Sequence, residues 1–447
     1  MNSGFLLAVL LMVAPAIAAA TFFQRIEYST IAAATVDVVI ASLLYFIRPP
    51  VGTFFVDNVS WVFIIMICSV FLLSSIYSLR YLSGKIRGSG LRIYYLLLNL
   101  FVISMLFSAL INNFGLMWVG IEATTISSAL LIMTEKTESS VEATWRYIIL
   151  VSAGVTFAFF SVILIYYSFG TLNVSAILSM HSRNTFFARI AVAIALIGFG
   201  TKVGIFPVHT WLPDAHSEAP SPISAMFSGV LLPVALYVLF RIYEIDPDPD
   251  LFIWLGTISI IAASIFLGYQ SRYKRMFAYS TMENMSLALV GFATLNPLGI
   301  IGSLYLLISH SFSKAGAFYS SGNFLKSTNT KNVDEISGSW KNMPYSSASM
   351  VMSFLGVSGT PPFGTFFGEI LILYSLAIEG YISQLILIVI FLVTAFIGIN
   401  YNVSRMIMGE PSSFNEPGRL MPAVSIISAS IPLIIGAYFL VVFNALV

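Results

Sequence analysis

The stretch SASMVMSFLGVSGTPPFGTFFGEILILYSLA, residues 347–377, stays apolar for about 31 residues, longer than the ~20 needed to cross a bilayer as a helix. It is cut in the middle by Gly359-Thr360-Pro361-Pro362-Phe363-Gly364. Proline has no backbone N–H and its ring clashes with the preceding turn, so two in succession interrupt a helix. Five residues after the break stands a carboxylate, Glu369. A broken helix inside a membrane is tolerated only where its freed backbone groups are buried in protein or line a wet cavity. Break and charge together therefore point to a transporter-like chain.

The same combination occurs once more. A span near residues 187–206 runs into FPVHTWLPDAHSEAPSP, where Pro207, Pro213, Pro220 and Pro222 cannot all sit in one continuous helix, and Lys202 lies five residues before Pro207. Interrupted helices at matching places in two halves are the mark of inverted-repeat transporters.

Composition agrees. The chain has 447 residues, 58% hydrophobic and 9% charged, against about 25% charged in ordinary soluble domains. Its net charge of +1 gives no reason to expect nucleic acid. The single cysteine, Cys68, cannot form a disulfide or an iron–sulfur cluster within the chain, and the four histidines show no metal-type spacing beyond the weak pair His209 and His216. No cofactor or metal is expected, so redox chemistry would belong to partner subunits. The Ala-rich start resembles a signal peptide but lacks a basic n-region, and is read as a retained first helix.

Spans are expected near 4–23, 30–47, 58–79, 93–111, 114–133, 146–168, 187–206, 220–243, 251–269, 277–295, 298–322, 345–376, 382–404 and 422–446. The expected fold class is thus an all-α polytopic membrane protein with about fourteen transmembrane helices and broken helices 7 and 12. The breaks are five helices apart, which suggests two inverted five-helix repeats. The corresponding division is an N-terminal three-helix segment (1–92), a first repeat of helices 4–8 (93–244), a second of helices 9–13 (251–404) and a C-terminal helix (405–447). Basic residues favour the cytoplasmic loops. Odd-numbered connections carry 15 of them; the other side has Arg48, Arg183, Arg189 and Arg241, and Lys202 and Lys314 lie inside. Both termini are expected on the extracytoplasmic side of the cytoplasmic membrane.

Six ionisable residues lie within these spans: Asp37, Glu122, Lys202, Glu283, Lys314 and Glu369, with His310 one turn from Lys314. A charge in hydrocarbon costs about 3 kcal/mol on insertion scales and roughly 10 or more in simulations, so such residues face a protein interior and mark an ion or proton path.

Five motifs resemble the antiporter-like subunits of respiratory complex I and its relatives, which include energy-converting hydrogenases, the formate hydrogenlyase type and multisubunit sodium/proton antiporters. They are MWVGIEATTISSALLI (117–132), KVGIFPVHTWLPDAHSEAPSPISAMFSGVLL (202–232), QSRYKRMFAYSTMENMSLALVGF (270–292), SHSFSKAGAFYSSGN (309–323) and GTPPFGTFFGEILIL (359–373). The resemblance covers most of residues 55–405, and Glu283 within YSTMENM is closest to the hydrogenase and formate hydrogenlyase type.

The resemblance implies that Glu122 and Lys202 form a carboxylate–lysine switch, that His310 and Lys314 relay protons, and that Glu369 is the terminal donor or acceptor toward the outside. Glu283 would assist uptake from the cytoplasmic side, and Asp37 would touch a neighbouring subunit. Glu122, Lys202, His310, Lys314, Glu369 and Glu283 are the residues expected to act in proton translocation. Two positions depart from the family pattern. Pro233 stands where relatives carry Lys or His, leaving water or Tyr237 to bridge the route, and Asn284 stands where relatives often show His.

The expected function is that of a proton-translocating subunit in a redox-driven complex, either a complex I-like NADH/quinone or ferredoxin oxidoreductase or a membrane-bound hydrogenase. Its partners would be other membrane subunits, peripheral iron–sulfur subunits reached indirectly, the lipid bilayer, and protons, with sodium as the alternative ion. The competing readings are a subunit of a multisubunit Na+/H+ antiporter and a structural subunit with an inactive channel.

Overall fold

The computed structural model describes residues 2–22, 25–180, 185–410 and 414–446. Two positions used above, Phe23 at the end of the expected first span and Arg183 in a loop, lie outside the described residues. Every regular element among the described residues is helical, the only strand-like features being two isolated bridges. The helices follow from the apolar sequence: in lipid each backbone N–H and C=O must be satisfied within its own segment.

Among the described residues, eleven helices are long and apolar enough to cross a membrane, spans 1–9, 13 and 14 of the expected order. The tenth (Tyr273–Ala293) and eleventh (Pro297–Thr328) carry polar and charged side chains along buried faces. The twelfth is cut into Pro344–Val357 and Gly364–Ile378. The chain order thus repeats: three continuous spans, a broken one and a continuous one, then the same again.

The chain divides into two compact units, one formed by Met1–Gly204 with Val230–Asp248, the other by Ile205–Gly229 with Pro249–Val447. This division differs from the repeats, because the stretch 205–229 packs with the later helices.

In the first unit the spans are Ser3–Ala20, Ile26–Phe46, Asn58–Tyr81, Ser89–Leu110, Phe114–Ile132, Glu138–Phe169 and, up to the break at Gly204, Phe186–Val203. Their starts are set by side chains that accept from orphan N–H groups: Asp57 and Ser60 make a reciprocal capping box, and Asn113, Thr137 and Thr185 each accept from the first turn. The sixth span is longer than expected because the helix runs back from the apolar run to its Thr137 cap. The sixth and seventh spans pack backbone to backbone, since a Cβ on Gly198 would come within 2.4 Å of the Ala158 nitrogen. A short helix, Val174–Ser179, fills the connection between them, capped by Asn173.

The eighth span, Ser221–Tyr243, is continuous but widens into a π-helical turn at Phe227–Leu231. Pro233 accounts for it: the ring cannot donate to the carbonyl four residues back, and the turn before it opens.

In the second unit the outer spans present apolar surface. On Ile382–Ile407, Ile386, Ile390, Val393 and Ile397 are exposed while Ile388, Ala395 and Ile399 are buried. This is the distribution of a helix with lipid on one side and protein on the other.

Two basic residues counted in the loops are buried. Arg241 pairs with Asp57 and, at 3.0 Å, with Glu244. Lys274 donates to the Ala219 carbonyl at 2.6 Å, closing the end of the Trp211–Glu218 helix. Asp37, expected to meet a neighbouring subunit, has no exposed surface at all and lies inside the first unit.

Candidate functional site

In the first unit the site is built where the seventh span stops. Phe186–Val203 ends at Gly204 with φ +85°, a conformation only glycine adopts freely, and Lys202 projects from its last turn, fully buried. Its ammonium donates to the Tyr147 hydroxyl at 2.7 Å and to Thr125 Oγ1 at 2.9 Å. The Tyr147 hydroxyl is in turn 2.6 Å from Ser128 Oγ. Thr125 and Ser128 are three residues apart on the fifth span, hence on one face. Glu122 precedes Thr125 by another three and acts on Lys202 electrostatically without a direct ion pair among the described residues. Glu122 is half-buried, and its Oε2 has no hydrogen-bond partner.

The lysine is therefore held by neutral hydroxyls, with its carboxylate at a distance. Neutral acceptors compensate a buried charge less well than a contacting carboxylate, so the proton is more easily given up than from a closed ion pair. The file from Lys202 through Tyr147 to Ser128 gives it a hydrogen-bonded route. Tyr147 and Ser128 are functional candidates that the sequence reading missed. A tyrosine among apolar neighbours reads as packing, and nothing in its spacing marks it.

In the second unit four titratable groups gather around the tenth and eleventh spans. His310 and Lys314 are both fully buried, one turn apart. Lys314 Nζ donates to the Phe277 carbonyl at 2.7 Å and lies 5.5 Å from the Phe277 ring centre. Glu283, 4% exposed, is within electrostatic reach of both Lys314 and Glu369. His310 makes no hydrogen bond of normal geometry through either ring nitrogen, the Ser228 backbone being the polar group that faces it.

Glu369 sits at the break in the twelfth helix, half-buried. Gly359, with φ +63°, is packed so closely on its carboxyl that a Cβ there would lie 2.0 Å from Oε2. The carbonyls freed by the break are recovered by side chains. Thr365 donates to the Gly356 carbonyl and Asn284 to the Val357 carbonyl at 3.3 Å. Asn284 thus ties the tenth span to the break. Both breaks carry a cis X-Pro bond, Phe206–Pro207 and Pro361–Pro362.

His216 is a further buried candidate. Its ring stacks on Phe318 at 4.9 Å, neither nitrogen is hydrogen-bonded, and Lys274 and Lys314 are within electrostatic reach. His209 is instead stacked on Phe266. No group of metal-ligating residues forms among the described residues. The Tyr237 hydroxyl meets the Ala109 carbonyl at 3.5 Å, and its ring carries the Arg241 guanidinium.

Broken helices with buried lysines, carboxylates and a histidine beside them define a membrane protein of the antiporter type. The chain belongs to the NADH:quinone oxidoreductase/Mrp antiporter transmembrane family, which it matches over residues 111–398. It is 32% identical over 425 residues to the hydrogenase-4 component F homolog of Methylacidiphilum infernorum (isolate V4), covering 90% of this chain and 87% of that one. Hydrogenase-4 component B of Escherichia coli (strain K12) is 26% identical over 332 residues, covering 70% of this chain and 49% of that protein.

Among solved structures, a chain of the membrane-bound sulfane sulfur reductase, an archaeal respiratory membrane complex, superposes with a TM-score of 0.89. That pair is 23% identical, with 98% of this chain and 95% of that one covered. A chain of the Mrp complex from Dietzia sp. DQ12-45-1b gives 0.87 at 18% identity, covering 98% and 94%. These two likenesses establish the fold. The family and fold class expected from the five motifs are thus correct.

Proposed function

We propose that this chain is the proton-translocating, antiporter-like membrane subunit of a redox-driven complex of the hydrogenase type, with no redox centre of its own. Protons are carried by Glu122 and Lys202 in the first unit and by Glu283, His310, Lys314 and Glu369 in the second. The observation that carries this reading is Lys202: a fully buried ammonium held by Tyr147 and Thr125 rather than locked to a carboxylate. A purely structural lysine would be closed into an ion pair, because an unpaired charge there only costs stability.

Glu122 acts as the switch. When it is ionised its field favours the ammonium; when its charge is neutralised or displaced, Lys202 releases its proton along Tyr147 and Ser128. In the second unit, Glu283 stands to Lys314 as Glu122 does to Lys202, and Glu369 at the helix break faces the extracytoplasmic side. The 15-to-4 basic asymmetry supports placing both termini outside, in the cytoplasmic membrane. The hydrogenase-type relative supports other membrane subunits as partners; iron–sulfur subunits reached through them are part of the same proposal.

The test is Lys202→Met and Glu122→Gln in the full complex, with proton uptake followed in inverted membrane vesicles during redox turnover. Uptake is expected to collapse in the first and fall in the second while the complex still assembles. Unchanged uptake in both leaves the inactive-channel reading. Uptake that depends on added sodium, without any redox partner copurifying, favours a Na+/H+ antiporter.

A further inference from the structure

Asp37 lies about 16 Å along the second span from Ile26, at 1.5 Å per residue. It is completely buried, and neither carboxyl oxygen has a hydrogen-bond partner or a paired cation among the described residues. A bare carboxylate cannot persist in such a place; it must hold a proton or meet water. The surroundings decide between a dry pocket and a wet one.

From Asp37 a line of polar groups leads to one end of the bundle. The Cys68 thiol of the third span stands within electrostatic reach of Asp37. Thr30, two turns before Asp37 on the same face, accepts from Asn99 Nδ2 at 2.8 Å, and Asn99 also donates to the Tyr95 carbonyl at 2.7 Å. Ser75, two turns from Cys68 toward the same end, has a buried and unpartnered hydroxyl, as has Tyr95, and Asn99 Oδ1 is unpartnered too. Tyr95 is within reach of Glu27 and Tyr28 on the first turn of the second span, where Glu27 is half-buried and Tyr28 exposed. In the other direction the same face continues as buried Ile40, Ala41 and Leu44.

We propose that the second, third and fourth spans enclose a water-filled half-channel that brings protons from the Glu27–Tyr28 end to Asp37 and ends there, making Asp37 a proton-binding site separate from the transport residues. Unpartnered buried polar atoms are few in native proteins and are normally satisfied by ordered water. Here Asp37, Ser75, Tyr95 and Asn99 supply five such atoms along three adjacent helices. The apolar face beyond Asp37 closes the other end, so the proton binds and leaves by the same side. All these residues precede the segment matched by the family, 111–398. The site therefore stands whether or not protons cross at Lys202.

The test uses the assembled complex in native membrane vesicles and infrared difference spectroscopy. A protonated-carboxyl C=O band is expected at neutral pH, lost in Asp37→Asn and shifted promptly when the medium is changed to D2O. Asn99→Leu plugs the column and should slow that shift by at least about tenfold, because a dry apolar gap carries no proton. A band that survives in Asp37→Asn, that never shifts in D2O, or that shifts equally fast in Asn99→Leu overturns the proposal.

Should Asp37→Asn fail to assemble, Cys68 serves as the reporter. Its modification by 2-aminoethyl methanethiosulfonate, read by peptide mass spectrometry, is expected in the wild type and slowed in Asn99→Leu. An unreactive Cys68, or equal reaction in both, overturns the proposal as well.

Discussion

Lys202 lies 2.7 Å from the Tyr147 hydroxyl, which is itself 2.6 Å from Ser128, so the buried ammonium opens onto a file of hydroxyls rather than onto its carboxylate. In the proposed mechanism this arrangement gives the ammonium two outcomes, held or released, with the choice set by Glu122, which acts on it without a direct ion pair. Removing the hydroxyl without changing the ring is the sharpest probe. Tyr147→Phe keeps the packing and the aromatic face 5.0 Å from the ammonium but removes an acceptor. A hydrogen bond to a charged group is worth about 1.5–3 kcal/mol, so proton uptake should fall by roughly tenfold or more. Thr125→Val should act in the same direction. Uptake in vesicles, normalised to assembled complex, checks both.

Gly359→Ala should disable the twelfth-helix break. The residue sits at φ +63°, and the added methyl would meet the Glu369 carboxyl at 2.0 Å. Left-handed backbone costs a non-glycine residue about 1 kcal/mol or more, and the carboxyl must also move. Loss of translocation comparable to Glu369→Ala, with modestly lowered thermal stability of the complex, is the expected result. Full activity would show that Glu369 need not stay where it is.

Lys314 acts on Glu283, which also feels the charge of Glu369. Lys314→Met should reduce the amount of assembled complex, because it leaves the buried Glu283 beside Glu369 with no cation acting on it. Adding Glu283→Gln should restore assembly while translocation stays lost. Blue-native gels report the first and vesicle uptake the second; a double variant no better assembled than the single one would refute the coupling.

Asp57 lies outside the spans, at the head of the third helix, and gives a pH dependence whose sign can be worked out. Burial raises its proton affinity, but the Arg241 guanidinium and the Ser60 hydrogen bonds outweigh it and hold the carboxyl below its ordinary value. A group depressed in the folded state stabilises above its unfolded pKa, and the contribution is lost as pH falls through the folded value. Acid below the usual carboxylate range should therefore weaken the complex in the wild type more than in Asp57→Asn. That variant should itself lose about 3 kcal/mol at neutral pH, the low end for an orphaned buried arginine because Glu244 remains. Thermal melts at several pH values measure it.

Much of the architecture could be read from residue order alone, because a bilayer demands long apolar runs and punishes each proline and charge. The breaks at 204–210 and 358–363 and the burial of Lys202 and Lys314 follow from that demand. What could not be read is whatever depends on a partner distant in sequence. Asp57 and Arg241 are 184 residues apart, and nothing in either segment announces the pair. Tyr147 looked like packing, and Asp37 looked like an outward contact because a lone aspartate names no neighbour. Pro233 was visible as a missing side chain, but its effect on the backbone, the widened turn at 227–231, appears only in three dimensions.

The chain leaves its first compact unit at Gly204, returns to it at Val230, and leaves again after Asp248. Neither unit is therefore a continuous piece of gene. Cutting the chain once, anywhere, leaves a fragment lacking part of its own unit or carrying part of the other. Duplication, deletion or grafting of one half would therefore strand a segment of the other.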